Sequence, residues 1–208
     1  ARVLARIAAE RGSPLCVVGQ DVFYTSLVHD LDGQDCLVWR AEEQPLVDTC
    51  LETGRLAPGP LRLHIPLLGS HQAQNAAVAA AALAEAARQG LPLSPGALET
   101  GFASVRWPGR FEILQREPLL VIDSAHNRDS GRRLRQTLDD YLPGRPVTLL
   151  FGASADKDIP GMFAELLPRV SRVVATQSIH PRAALADDLA ALAHRFGCPA
   201  RAVLPPHP

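Results

Sequence analysis

The chain has 208 residues, 47% of them hydrophobic and 21% charged, with a formal net charge of −1. That composition is globular and supplies a core for one large domain or two small ones. The near-neutral balance offers neither the basic field that holds nucleic acid nor an acidic solvating tail.

Cys16, Cys36, Cys50 and Cys198 form no Cys-x-x-Cys pair, so a zinc ribbon or redox motif is not indicated and reduced thiols are expected. No signal-peptide pattern and no run of about 20 apolar residues occurs. The expectation is a soluble, cytoplasmic protein with no nucleic-acid or membrane partner. The chain starts without Met in a helical pattern (Val3, Leu4, Ile7, Ala8) and stops in Leu204-Pro205-Pro206-His207-Pro208. Both ends read as cuts, so a fragment is expected.

In chain order, the first helical turns end at Gly12, and Pro14 to Gly19 reads as a short buried strand. Val22 to Arg40, with a turn at Asp30–Gly33, predicts a small β meander. Ala41 to Pro60, rich in Glu, Pro and Gly, reads as loop. Leu61 to Leu67 alternates as a half-buried strand does. A helix is expected from about His71 to Gln89, with Ser70 as its cap and Gly90 ending it. A second is expected over about Pro95 to Ala103, capped by Ser94. Trp107-Pro108-Gly109-Arg110 breaks the pattern and is the expected domain boundary.

Beyond it the texture becomes strand, loop, helix. The predicted strands are Leu119–Ile122, Val147–Phe151, Arg172–Thr176 and Arg201–Leu204. The predicted helices cover about 130–141, 160–167 and 183–196. Continuous apolar strands alternating with helices predict an α/β fold whose parallel sheet is covered on both faces. In such sheets ligands collect outside the carboxyl ends of the strands.

Three polar clusters fall at those ends. Asp123-Ser124-Ala125-His126-Asn127 follows Leu-Leu-Val-Ile. Asp123 there can accept hydrogen bonds from a ribose diol, and His126 can face a phosphate. The alternative is that Asp123 caps the next helix and His126 is a surface histidine. Gly152 to Asp158 holds Lys157 but lacks the second glycine and the hydroxyl of a phosphate loop, so an exposed charged loop is the competing reading. In the third cluster, Thr176 to Ala183, Arg182 either clamps a carboxylate or is solvated. Upstream, His71 and Asn75 share a helix face, where the Asn amide complements an adenine edge or the pair is a helix-terminal polar patch. Arg110 after Pro-Gly can reach ribose or phosphate, or serve in an interdomain salt bridge.

Taken in order, Leu67-Leu68-Gly69-x-His71-Gln72-x-x-Asn75, Trp107-Pro108-Gly109-Arg110-Phe111-Glu112, Asp123-x-Ala125-His126-Asn127, Asp156-Lys157-Asp158 and Pro181-Arg182-Ala183 resemble the folylpolyglutamate and dihydrofolate synthase branch of the Mur ligase superfamily. The resemblance implies that residues 1–107 are the latter part of a central ATP-binding domain. It implies that 108–208 are a carboxy-terminal, Rossmann-like three-layer αβα ligase domain with a mainly parallel sheet. It further implies ATP contacts from Asn75, Arg110 and Asp123, which would line one crevice, and a role for His126 at the terminal phosphate and incoming glutamate. Lys157 lies in a matching motif and is a second catalytic candidate.

The implied activity is ATP- and Mg²⁺-dependent addition of L-glutamate to a folate or dihydropteroate carboxylate through an acyl phosphate. A monomer is implied, with the metal ligands and phosphate loop upstream of residue 1. The isolated fragment is then expected to bind nucleotide weakly and not to ligate. Another Mur-type amide ligase and a non-catalytic nucleotide-binding module are the rivals. Ser124 stands where the family has Gly; a positive φ there would cost Ser roughly 1 kcal/mol.

Overall fold

The computed structural model describes residues 2–53 and 59–204. Positions 54–58 of the expected loop and the closing run 205–208 lie outside the described residues. The chain divides into two compact units, Ala1–Trp107 and Pro108–Pro208.

In the first unit, α1 (Arg2–Arg11) forms where the apolar pattern predicts it and gives way to a left-handed Gly12. The strand expected over Pro14–Gly19 does not form. The Asp21 carboxylate takes the Val17 amide at 2.8 Å, and the Val17 carbonyl accepts the amides of Gln20 and Asp21. The segment therefore closes on itself as a turn, with Leu15 and Cys16 exposed.

The meander appears as expected: β1 (Val22–Asp30) and β2 (Gly33–Arg40) pair antiparallel. Asp30 Oδ1 accepts the amides of Asp32 and Gly33 at the turn. A 3-10 turn at Ala41–Glu43 then leads into α2 (Gln44–Thr53), where the sequence had read as loop. The entry is fastened by Arg40 N–H to Glu43 Oε2 and Trp39 Nε1–H to Gln44 Oε1, both 2.8 Å. Pro45 sits in the first turn, where a missing N–H costs nothing. Within the helix Val47 carries the buried contact, against Leu37 and Trp39, so no helical stripe was available to find it.

β3 (Leu61–Ile65) completes the antiparallel sheet in the order β1-β2-β3. α3 (Ser70–Arg88) covers its other face. Ala73, Ala76, Ala77 and Ala80 bury against Val22, Cys36, Val38, Leu63 and Ile65, and their small side chains let helix and sheet approach closely. β2 is thus covered on both faces. The cap of α3 is Gly69 (φ 106°), with Ser70 as the first helical residue and no side-chain cap bond. α4 (Ala97–Ala103), packed on β3, starts late, because Gly96 (φ 75°) is left-handed and excludes Pro95 from the helix.

In the second unit, β4 (Glu112–Arg116) and β5 (Leu119–Ile122) form an antiparallel hairpin. The expectation held Leu119–Ile122 as a strand but missed its partner, whose Glu-Ile-Leu-Gln-Arg alternation is short and largely exposed. α5 (Arg128–Tyr141) follows, then β6 (Thr148–Phe151), α6 (Ile159–Leu166), β7 (Arg172–Ala175), α7 (Ala186–Arg195) and β8 (Ala200–Ala202). β6, β7 and β8 are parallel, so the predicted α/β class with a parallel sheet is borne out. Phe151, Val173 and Ala175 meet Met162 and Phe163 of α6 and Leu189, Ala190 and Ala193 of α7 in one core. Leu150, on the other face, stays 67% exposed. Among the described residues no helix is long and apolar enough to cross a membrane, and all four cysteines are free.

On the outer side of the first sheet, Asp35 accepts hydrogen bonds from Arg62 (2.7 Å) and from His64 Nδ1 (2.8 Å). The Arg62 hydrogen bond, followed by that of His64, holds the Asp35 carboxyl below its ordinary 3.8. A depressed folded pKa stabilises above the unfolded value, and the gain is lost as pH falls through the folded one. Asp35→Asn should therefore cost about 1 kcal/mol at pH 7, the partners being half-exposed. In urea titrations the gap to wild type should hold above pH 3.8 and narrow below it.

Candidate functional site

The Pro108–Phe111 turn and the loop after β5 are tied together through one carboxylate. Asp123 Oδ2 accepts the Phe111 amide and Oδ1 the Ala125 amide, each at 2.8 Å. The Ser124 amide returns a bond to the Gly109 carbonyl at 2.8 Å. Glu112 Oε2 takes the Gly109 amide at 2.8 Å, so the residues on both sides of Arg110 are pinned. Arg110 and Asp123 are half-buried. A carboxylate has about four lone-pair sites. With two used by amides, Asp123 retains acceptor capacity for a hydroxyl pair, which fits a ribose.

The turn is bent into an unusual shape. Gly109 (φ 73°) and Phe111 (φ 43°) are left-handed, and Phe111 is the one non-glycine residue with positive φ among the described residues. That conformation costs an ordinary side chain roughly 1–2 kcal/mol, and burial of the ring, 3% exposed against Tyr141 at a 6.2 Å centroid distance, offsets it. Ser124 does not take positive φ, so its departure from the family glycine carries no backbone strain. Asp123 does not cap α5. Asn127 does, accepting the Ser130 amide at 2.8 Å.

His126 is exposed, and its Nδ1 lies 3.0 Å from the Ser124 carbonyl. A carbonyl only accepts, so Nδ1 carries the hydrogen. In the neutral ring Nε2 is then left as the basic nitrogen.

Lys157 stands in the loop after β6, exposed and 3.6 Å from Asp156 Oδ2. Asp158 Oδ1 caps α6 by accepting the Gly161 amide at 3.0 Å. This loop is zipped to the one after β7 by Ala155 N–H to the Arg182 carbonyl (2.8 Å) and Ala184 N–H to the Ala153 carbonyl (2.9 Å). Gly152 permits the close approach, since a Cβ there would lie 3.1 Å from the Thr176 carbonyl oxygen. An open concavity of about 340 Å³ beside these loops is lined by Lys157, Ile159, Leu185, Asp188, Leu192 and Arg195 among others. It takes in none of Arg110, Asp123 and His126.

Asn75 lies in the first unit, exposed on α3, donating from Nδ2 to Gln72 Oε1 at 3.1 Å. The start of that helix is held by Gln34, which the sequence did not single out. Its Nε2 donates to the carbonyls of Leu67 (2.7 Å) and Gly69 (2.9 Å) from a buried position. The structure therefore brings Arg110, Asp123 and His126 together, with Lys157 on a separate loop of the same unit and Asn75 on the other unit. Phe111, Glu112 and Gln34 are the residues that sequence reasoning passed over. Glu112 was within the quoted motif; its spacing of three from Gly109 was the available signal. Among the described residues no cluster of His, Cys, Asp or Glu is arranged to hold a metal ion.

Residues 109–204 match the family described as Mur ligase, glutamate ligase domain. This segment is similar to a Mur ligase domain. Over 128 residues the chain is 42% identical to a probable bifunctional folylpolyglutamate synthase/dihydropteroate synthase of Halobacterium salinarum, an alignment covering 62% of this chain and 15% of the relative. It superposes on Mycobacterium tuberculosis folylpolyglutamate synthase complexed with ADP at a TM-score of 0.78 and 29% identity, over 98% of this chain and 42% of that one. A Yersinia pestis bifunctional folylpolyglutamate synthase/dihydrofolate synthase complexed with AMPPNP and Mn ion matches at a TM-score of 0.70 and 27% identity, over 98% of this chain and 42% of that chain. The Mur ligase resemblance read from the motifs is borne out, on its folate branch. The chain spans less than half the length of each of these relatives.

Because Gln34 braces the chain into α3, Gln34→Leu should leave the half-buried Leu67 carbonyl and the buried Gly69 carbonyl without that donor and lower stability by about 1–3 kcal/mol. Chemical denaturation checks it; a change below about 0.5 kcal/mol would mean water replaces the amide.

Proposed function

We propose that the protein bearing this chain is an ATP-dependent ligase that adds L-glutamate to a folate or dihydropteroate carboxylate through an acyl phosphate. The observation that carries the reading is the Asp123 junction, which holds Arg110 and His126 beside a carboxylate with acceptor capacity to spare. The nucleotide complexes of the M. tuberculosis and Y. pestis relatives support it.

A carboxylate is a poor electrophile, and phosphorylation by ATP gives it a leaving group that the glutamate amine displaces. In this reading Asn75 contacts the adenine edge, Asp123 accepts from the ribose, and Arg110 hydrogen-bonds the ribose or neutralises phosphate charge. His126 presents Nε2 toward the terminal phosphate and the incoming amine. Lys157 contributes positive charge from the second loop. Mg²⁺ would offset phosphoryl charge, and the Mn ion of the Y. pestis relative supports use of a divalent ion. The described residues do not form a site for it, so its ligands are assigned outside them. The setting is cytoplasmic, in keeping with the free cysteines, and the working unit a monomer.

Two measurements on the full-length protein test this. Folate- and glutamate-dependent release of ADP should be present in wild type. Arg110→Ala should raise the KM for ATP by about tenfold or more, the value of one charge-assisted contact, with the KM for glutamate little changed. ADP release that needs no folate or pteroate would reject the ligase reading. The 208-residue chain by itself should bind ATP weakly and not turn over; robust glutamate addition by it would contradict the assignment of the phosphate loop elsewhere.

A further inference from the structure

We infer that Phe111 is a positioning residue: its buried ring and left-handed backbone hold Arg110 in the orientation that nucleotide binding uses. This rests on the nucleotide reading of the Asp123 junction.

A long cationic side chain on a turn has many rotamers, and a ligand that fixes them loses affinity for each one frozen. The turn around Arg110 is fixed in advance from both sides. Gly109 is held by Glu112 Oε2 and by the Ser124 amide, each at 2.8 Å. Phe111 is held by Asp123 Oδ2 at 2.8 Å.

Glycine would adopt the φ of 43° at position 111 without strain. A phenylalanine there bears that strain with its ring seated in the core and its amide held by Asp123. The ring is 3% exposed and packs on Tyr141 at the end of α5. The first turn of that helix follows His126 and is capped by Asn127. The ring therefore couples the turn bearing Arg110 to the helix that sets His126, through apolar packing and without touching substrate. Asp123 supplies the hydrogen bond, and Phe111 keeps its amide aimed at it.

The test compares wild type with Phe111→Gly, which frees the backbone and removes the ring, and Phe111→Leu, which keeps apolar bulk. In the ligand-free protein the heteronuclear NOE of the Arg110 Nε–H group should fall in Phe111→Gly and less in Phe111→Leu. The dissociation constant for ADP should rise about tenfold in Phe111→Gly. In an Arg110→Ala background the same substitution should add less than about twofold, because its effect passes through Arg110. A merely structural role would weaken binding equally in both backgrounds, and that result, or an unchanged NOE, overturns the inference. If Phe111→Gly melts too low to assay, the Phe111→Leu cycle decides with the same criteria. A wild type that binds no ADP would defeat the nucleotide reading instead, and the NOE comparison would still decide whether Phe111 orders Arg110.

Discussion

The second unit is organised around the Asp123 carboxylate and the two amides it accepts. A carboxylate at a strand end needs donors, and here they come from opposite directions: Ala125 two residues on, and Phe111 twelve residues back. Hydrogen bonds to a charged acceptor contribute about 1.5–3 kcal/mol each, comparable to the strain held at Phe111. The pairing of Glu112 with Ile122 in the β4–β5 hairpin is what delivers the Phe111 amide to that place. Remove the hairpin and Arg110 has no fixed relation to Asp123. The left-handed turn, the hairpin and the capped α5 therefore stand or fall together.

The parallel sheet contributes a different device. Its strands end in two loops joined by backbone hydrogen bonds between 153–155 and 182–184. That zipper sets the loop bearing Lys157 beside the Arg182 segment through backbone hydrogen bonds. In the first unit the analogous service to α3 comes from one buried amide, Gln34, because the helix begins at a left-handed glycine and lacks a side-chain cap of its own. Each candidate segment is thus fixed through its own backbone polar groups, which need partners once buried, and those partners are side chains at Asp123, Glu112 and Gln34 and backbone in the zipper.

The sequence made the periodic parts legible. The Ala-rich α3, the strands β5 to β7 and the three helices after them were found within a few residues, because an apolar face or run marks each. What escaped detection was set by single contacts. α2 hangs on Val47 and the Trp39–Gln44 bond. The expected Pro14–Gly19 strand was lost to the Asp21 turn. Two helix starts were misread because a left-handed glycine, Gly69 or Gly96, overrode the serine before or after it. The candidate residues themselves were legible as ordered motifs. The motifs did not reveal that Asp123 binds backbone as well as offering itself to a ligand, that Asn127 is the cap, or that Phe111 bears the unusual φ.

The claim on which the account turns is that the Asp123 carboxylate holds the amides of Phe111 and Ala125. Residue-resolved hydrogen exchange on wild type and Asp123→Ala measures it directly. Exchange at those two amides should accelerate by about tenfold or more in the variant, as loss of a charge-assisted bond implies, while the amides of Val173 and Phe163 in the core keep their protection. Unchanged protection at Phe111 would contradict the account.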